Sequence, residues 1–126
     1  MNCTSIIRCK NEAQWIGHAI QSFLDFFPSG EIIVVDNNST DQSMEIVSLF
    51  DYANIKKINI DDYTPGRAIN LGVQEASHDR ILIQSAHCVI KKFNKAHVFG
   101  NLEEIPCIFG KQTPYYLGKR ISKRYI

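Results

Sequence analysis

The chain has 126 residues, 44% of them hydrophobic, and carries a net charge of +1, which fits one soluble globular domain with its own core. No apolar run is long enough to cross a bilayer, no basic segment precedes an apolar stretch at the N-terminus, and the four cysteines lack the paired spacing of a zinc site. We therefore expect a cytoplasmic protein with reduced thiols and without a membrane span, a secretory signal or structural zinc.

Strand and helix patterns alternate through the first 90 residues, beginning with a short strand at residues 4–8. Asn11 is placed to cap the helix that follows, with Gln14 as its capping-box partner. One apolar stripe of that helix is expected to be buried: Ile16, Ala19, Ile20, Phe23, Leu24 and Phe27. Residues 32–35 are apolar and mostly β-branched, which predicts a strand buried on both faces of a parallel sheet.

Asp36 ends this strand, and a polar segment leads from it to a second helix. One interpretation is that Asp36 and Ser39 only cap that helix. The other is that the carboxylate binds a ligand at the carboxyl end of the strand, where it suits base N–H groups or ribose hydroxyls. Ser39 or Thr40 is the expected helix cap. Three apolar residues are expected on the inner face of the helix: Met44, Val47 and Phe50.

Residues 55–60 alternate between apolar and polar, which predicts a strand near the edge of the sheet. A third helix follows, with Thr64 as its cap and Pro65 at its first position. Its expected buried stripe consists of Ile69, Gly72, Val73 and Ala76. Residues 80–83 predict a fourth strand. Four such alternations predict an α/β fold, a mostly parallel sheet with right-handed crossovers and helices on both faces.

The pattern changes after about residue 90. Residues 91–99 predict a short amphipathic helix, and residues 105–109 predict another strand. Five of the fourteen Lys and Arg residues, and no acid, lie in residues 111–126. Such a basic end either contacts phosphates or an anionic membrane, or is a solvated tail. We expect a single domain over residues 1–126 with its core at about residues 3–90.

The polar turns after the four strands occur in an order that resembles the nucleotide-binding half of family 2 glycosyltransferases, which have the GT-A fold. Residues 35–43, Val-Asp-Asn-Asn-Ser-Thr-Asp-Gln-Ser, look like that family's Val-Asp-Asp-Gly-Ser-Thr-Asp-x-Ser/Thr segment. Asn11 and Glu12 match the Asn-Glu after its first strand, and residues 66–73 are similar to its third-helix motif. The resemblance covers residues 4–90 and implies a Rossmann-like, nucleotide-binding half of the GT-A fold.

The resemblance implies a donor-nucleotide site of nine residues: Arg8, Cys9, Asn11, Glu12, Asp36, Asn38, Arg67, Ser85 and His87. Glu12 and the backbone at the end of the first strand would line the nucleoside pocket. Asp36 would bind the base, commonly uracil in the family, and Asn38 would assist with the base or ribose. Arg67 would reach the base or the phosphates. Structural alternatives remain: Glu12 also suits a helix N-terminus, and Gly72 also suits close packing of helix and sheet.

The chain departs from the family after the fourth strand, where the usual Asp-x-Asp binds a divalent metal that bridges the donor diphosphate. Ser85, Ala86 and His87 stand there instead. One imidazole with one hydroxyl is a poor site for Mg²⁺, whereas Mn²⁺ tolerates imidazole better. His87 is therefore a candidate metal ligand, a direct contact to the diphosphate, or a structural residue of an inactive site. We expect the diphosphate contact.

Members of the family run well beyond this length, and their second half supplies the acceptor site and the catalytic base. Glu103 and Glu104 follow the fourth strand too soon to match that base. We expect a truncated donor half, inactive alone, of an enzyme for polysaccharide biosynthesis in the cytoplasm or at the inner face of its membrane. The whole enzyme would transfer sugar, with inversion, from a UDP-sugar to a saccharide or lipid-linked acceptor. Uncovered apolar surface predicts self-association.

One alternative stays open, a non-catalytic nucleotide-binding or scaffold module of the same fold. Several other classes of protein are less compatible with the sequence. A dinucleotide-dependent oxidoreductase would need G-x-G-x-x-G after the first strand, and a P-loop NTPase would need Gly-Lys-Ser/Thr. A nucleotidyltransferase would need a glycine-rich basic loop. Binding of nucleic acid would rest on the basic end alone, and we do not expect it.

Overall fold

The structure, a computed structural model, describes residues 1–116 and 119–120. The chain divides after Phe93 into two units. The first unit alternates strands and helices: β1 Thr4–Cys9, α1 Ile16–Phe26, β2 Glu31–Asp36, α2 Ser43–Ser48, β3 Asn54–Asn59, α3 Pro65–Glu75 and β4 Ile81–Ser85. In the second unit the described residues form one helix and one antiparallel strand pair: α4 Lys95–Leu102, β5 Tyr115–Tyr116 and β6 Lys119–Arg120.

A four-stranded sheet in the order β3-β2-β1-β4 forms the centre of the first unit, and every neighbouring pair is parallel. β2 lies between β3 and β1, and all six of its residues are buried, as its apolar run predicts. β3 lies at one edge, in agreement with its alternating pattern, and β4 lies at the other. The predicted parallel α/β sheet is confirmed.

Helices cover both faces of this sheet. On one face α3 packs through Ala68 against Ile6. Ile6 and Ile7 point to opposite faces because neighbouring residues of a strand alternate. Gln84 is the register partner of Ile7, and its Nε2 donates to the Ala19 carbonyl of α1 at 3.1 Å. α1 therefore lies on the face opposite to α3.

Gly72 sets how closely α3 approaches the sheet. A Cβ at this position would lie 2.6 Å from Cγ2 of Ile6, whose side chain is fully buried. Carbon atoms pack best at about 3.5–4.0 Å, so any larger residue would push the helix away. The packing interpretation of Gly72 is therefore supported. Gly66, in the same helix, has no atom within 4 Å of the corresponding point.

A buried carboxylate holds the amino ends of β1 and β2 together. Glu31 is 1% exposed and accepts hydrogen bonds from Thr4 Oγ1 at 2.7 Å, Ser77 N at 2.7 Å and Ser77 Oγ at 2.9 Å. Lys56 Nζ lies 3.7 Å from Glu31 Oε2. Burial by itself raises the pKa of Glu31, but the bonds from Ser77 and Thr4 and the Lys56 charge outweigh it, so that the pKa is lowered.

The predicted caps of the first two helices are wrong. α1 begins at Ile16, its N-cap makes no side-chain hydrogen bond, and Asn11 therefore does not cap it. α2 begins at Ser43, again without a side-chain cap, so neither Ser39 nor Thr40 has the expected role. The polar side chains of these segments instead bond across to a neighbouring loop, which a local pattern does not reveal.

The cap of α3 is confirmed, but its buried stripe is shifted. Thr64 Oγ1 accepts a hydrogen bond from Arg67 N at 3.2 Å, with a proline at the first helical position. The buried residues of this helix are Ala68 and Gly72, whereas Val73 is exposed. The expectation that Val73 is buried is therefore wrong, because the face toward the sheet runs through Ala68.

The second unit differs from the expectations for residues 91–109. α4 begins at Lys95, where Asn94 Oδ1 accepts a hydrogen bond from His97 N at 3.0 Å. The predicted strand at residues 105–109 is wrong, because these described residues form no strand and both Ile105 and Phe109 are exposed. The end of the basic segment, residues 121–126, lies outside the described residues. Within the described ranges, no helix has the length and apolar character needed to cross a membrane.

Candidate functional site

The carboxyl ends of the parallel strands lie at one edge of the sheet, and most of the predicted site residues lie there. Cys9 at the end of β1 is the register partner of Asp36 at the end of β2, and Arg8 is the partner of Ser85 at the end of β4. Ligands of open parallel sheets bind outside this edge. The register therefore brings three of the predicted loops to the place where a ligand would be bound.

Asn11 ties the loop after β1 to the loop after β2. It adopts a left-handed backbone conformation with φ 52°, which asparagine tolerates better than most residues. Its Oδ1 accepts hydrogen bonds from the amides of Thr40 at 2.7 Å and Asp41 at 3.3 Å, while its own amide donates to Ser39 Oγ at 2.9 Å. Asn11 thus positions both loops.

Asp41 and Ser43 extend this connection to the start of the α1 segment. Ser43 Oγ accepts from the Glu12 amide at 2.8 Å, and Asp41 Oδ2 accepts from the Ala13 amide at 3.0 Å. The hydrogen bond from the Ser43 hydroxyl lowers the pKa of Asp41, so its carboxylate stays ionised. Neither residue was among the predicted site residues, although both belong to the Ser-Thr-Asp-x-Ser part of the matched segment.

Asp36 is buried, and its carboxylate already has a partner within its own loop. Ser39 Oγ donates to Oδ1 at 2.6 Å, and the Ser39 amide lies 3.3 Å from the same oxygen. A carboxylate has about four acceptor positions, so Asp36 retains capacity for a base N–H group. Because α2 begins at Ser43 without a side-chain cap, the helix-capping interpretation of Asp36 is wrong.

Cys9 and Asn38 lie beside this carboxylate. Cys9 Sγ lies 4.0 Å from Ser39 Oγ, and burial raises the pKa of the thiol, which therefore packs as a neutral group. Asn38 has φ 51°, and its Nδ2 donates to the Ile60 carbonyl at 3.4 Å. Lys10 Nζ donates to the Asn38 carbonyl at 3.1 Å. The loop after β2 is thus held from both sides.

Glu12 and His87 bring the first and fourth loops together. His87 Nδ1 lies 3.1 Å from Glu12 Oε1, and the two side chains are 59% and 25% exposed, respectively. Mg²⁺ prefers oxygen ligands, so a site with a hydroxyl and an imidazole in place of two carboxylates suits it poorly. In the part of the chain that the structure describes, no group of three or more His, Cys, Asp or Glu residues suits a metal. Ser85 and His87 therefore lack the carboxylates with which the family holds the cation.

Arg67 lies in the first turn of α3, and its Nη1 donates to a carboxylate oxygen of Asp62, which lies in the loop before that helix. It borders a surface depression of about 320 Å³. The lining residues of this depression are Ile60, Asp62, Arg67, Asn70, Leu71 and Gln74. Neither Glu12 nor His87 lines this depression. The Ile60 amide donates to the Asp36 carbonyl at 2.9 Å and is one connection between the two regions.

A parallel sheet with helices on both faces and polar loops at its carboxyl edge defines a Rossmann-like α/β domain. The family description "Glycosyl transferase family 2" matches residues 4–124, and the chain belongs to this family. The family and the GT-A type of fold, both predicted from the sequence, are confirmed. A search among curated protein sequences found no match.

Solved structures similar to this chain include TarS 1-349 of S. aureus, with a TM-score of 0.70, 24% identity, and coverage of 82% of this chain and 33% of that one. TarS 1-349 in complex with UDP-GlcNAc has a TM-score of 0.66 and 25% identity, and the match covers 82% of this chain and 30% of that one. The mannosyltransferase PcManGT from Pyrobaculum calidifontis, in complex with GDP-Man and Mn²⁺, has a TM-score of 0.60 and 19% identity, covering 69% and 28%. The chain spans about one third of the length of these proteins.

Proposed function

We propose that the first unit binds the nucleotide part of a nucleoside-diphosphate sugar, with uridine as the preferred nucleoside. The observation that carries this proposal is the meeting of three loops at the carboxyl edge of the sheet. Glu12 contacts His87 at 3.1 Å, and Asn11 joins the loop after β2. Membership of the glycosyltransferase family supports it, as do the similar TarS structures in complex with UDP and UDP-GlcNAc.

In this proposal the two carboxylates and the imidazole have different tasks. Asp36, acceptor-only and buried, accepts a hydrogen bond from the N–H edge of the base. Glu12 lines the nucleoside pocket and orients the His87 ring through the Nδ1 contact. The other ring nitrogen of His87 donates to a phosphate oxygen, which requires a proton on that nitrogen.

For the whole protein we propose inverting transfer of the sugar to a saccharide or lipid-linked acceptor. Such a reaction needs a base within hydrogen-bond reach of the acceptor hydroxyl. We assign neither the acceptor site nor this base to any described residue, so the task of this region is donor binding. A non-catalytic binding module is the second candidate. It is favoured by Ser85 and His87, which replace the two aspartates of the family and do not suit a metal.

Calorimetric titration with UDP, GDP and UDP-GlcNAc, each with and without Mn²⁺, tests the proposal. We expect UDP to bind more tightly than GDP, and Asp36→Asn to weaken UDP binding by about tenfold, since one hydrogen bond to a charged group is lost. Asp51→Asn is the matched control, because this exposed residue precedes β3 at the opposite end of the sheet. Failure of the parent chain to bind any of the three nucleotides would contradict the proposal.

Turnover separates the two candidates once binding is established. A protein that contains this region and transfers sugar from the donor it binds is the proposed enzyme. One that binds the donor with the same Asp36 dependence, and neither transfers nor hydrolyses it with any saccharide acceptor, is the binding module.

A further inference from the structure

Arg8, at the carboxyl edge of the sheet, carries a positive charge that no described residue pairs with. It lies one residue before the end of β1, between Val35 of β2 and Ser85 of β4 in the strand register. Its Nε atom is buried and has no hydrogen-bond partner among residues 1–116 and 119–120. The residue as a whole is only partly buried, so part of the side chain remains open to a ligand.

An arginine in this position cannot relieve the charge by losing its proton, because the guanidinium stays protonated in proteins. Burying such a group without a partner is unfavourable. Three ion pairs occur among the described residues: Lys56 with Glu31, Arg67 with Asp62, and His87 with Glu12. None of them involves Arg8. The folded protein therefore retains a cation that an anionic ligand would stabilise.

The register explains why this charge is not neutralised from within the sheet. Ser85 is the direct neighbour of Arg8 on β4, and an uncharged hydroxyl stands there instead of a carboxylate. The segment that contains Ser85 and His87 does not suit a divalent metal, as described above. The positive charge at this edge therefore comes from Arg8, whose backbone is part of the central strand β1.

We propose that the guanidinium of Arg8 binds the diphosphate of the donor and takes the electrostatic role of a divalent cation. This inference rests on the proposed donor binding and adds the residue that recognises the phosphates. The planar fork of N–H donors in arginine suits two oxygens of a phosphate group at once. In this proposal donor binding is independent of metal, and Arg8 binds the phosphates together with His87.

Calorimetry with UDP, uridine and inorganic pyrophosphate, in EDTA and in Mn²⁺, tests this inference with three variants. Arg8→Met removes the charge and keeps an unbranched side chain, Arg8→Lys keeps a charge without the fork, and Lys57→Met is the control for charge removal on β3. We expect UDP affinity in EDTA to equal that in Mn²⁺ within about twofold. Arg8→Met weakens UDP and pyrophosphate binding by about tenfold or more and leaves uridine binding unchanged.

The midpoint of thermal unfolding without ligand separates a binding role of Arg8 from a structural role, because loss of a structural residue would lower the midpoint. Removing a partly buried charge without a partner among the described residues leaves the midpoint of Arg8→Met equal to that of the parent or higher. If Arg8→Met does not fold, Arg8→Lys decides: weaker UDP binding with unchanged uridine binding supports the inference, and unchanged UDP binding overturns it.

The outcomes separate this inference from the proposed function. UDP binding by Arg8→Met at the parent affinity, or UDP binding that requires Mn²⁺, overturns the role of Arg8 and leaves donor binding intact. Pyrophosphate binding that depends on Arg8, without any binding of uridine or UDP, supports the anion site and contradicts donor recognition. A parent chain that binds none of the three probes overturns both.

Discussion

Replacing Asn11 tests how the first two loops are held in place. Asn11 contributes in two ways: its side chain accepts the Thr40 amide at 2.7 Å, and its backbone adopts φ 52°. Asn11→Ala removes the acceptor and replaces asparagine, which tolerates the left-handed region, with alanine, which does not. Asn11→Gly removes the same acceptor but adopts positive φ without strain. The pair of variants therefore separates hydrogen bonding from backbone conformation.

The magnitudes follow from these two contributions. A net hydrogen bond is worth about 1 kcal/mol, and the left-handed conformation costs a residue with a Cβ about 1–2 kcal/mol. We expect Asn11→Ala to lower the free energy of unfolding by about 2 kcal/mol or slightly more, and Asn11→Gly by about 1 kcal/mol. Both variants release the loop after β2, so UDP affinity should fall in both.

Urea unfolding monitored by circular dichroism gives these differences, provided that the m value stays constant across the series. The expected order of stability is parent, then Asn11→Gly, then Asn11→Ala. An Asn11→Ala variant as stable as the parent would show that the connection between the loops carries no free energy. An Asn11→Gly variant less stable than Asn11→Ala would show that the conformational part of the reasoning is wrong.

Three further predictions concern the packing and ionisation of the first unit. Gly72→Ala should lower the free energy of unfolding by about 1–3 kcal/mol through overpacking, whereas the matched Gly66→Ala, with open space around it, should show no loss in the same urea assay. Glu31→Gln should cost about 2–3 kcal/mol, because a charged acceptor of three hydrogen bonds is replaced. The pKa of Glu31 is lowered in the folded protein. Its contribution to stability is therefore fully present above the pKa of the unfolded chain, about 4.3, and is lost as the pH falls through the pKa of the folded protein. The free energy of unfolding, measured from pH 6 to pH 2, should depend less on pH in Glu31→Gln than in the parent. Cys9, whose pKa burial raises, should resist alkylation at pH 8 in the folded protein while the exposed Cys107 reacts, as followed by mass spectrometry; equal rates at the two thiols would contradict this.

The parts of the fold that follow from local chemistry could be predicted from the sequence. The apolar run of β2 requires burial on both faces, and Thr64 caps α3 because a hydroxyl there meets the Arg67 amide. The failures have a common cause. Asn11 bonds to a loop 29 positions away, and Glu31 bonds to Ser77 across 46 positions. Neither separation leaves a periodic signal.

The candidate site shows the same division. The alternation of strands and helices predicts parallel strands, but the contact between Glu12 and His87 also requires β1 to be the neighbour of β4, which the alternation does not specify. Arg67, in the first turn of α3, pairs with Asp62 of the preceding loop, and this ion pair was not predicted. The unpaired charge of Arg8 becomes visible only when burial and strand register are known together. The residue types in the sequence were enough to predict that the site lies at the carboxyl edge of the sheet. The distances and burial in the structure were needed to assign a role to each residue there.

Nuclear magnetic resonance of the labelled protein during titration with UDP tests the location of the donor site most directly. We expect amide signals to shift at the carboxyl edge of the sheet, at residues 8–12, 36–43 and 85–88, and to stay in place at the amino edge, at residues 51–54 and 76–80. Shifts confined to the amino edge, or no shifts at saturating UDP, would contradict it.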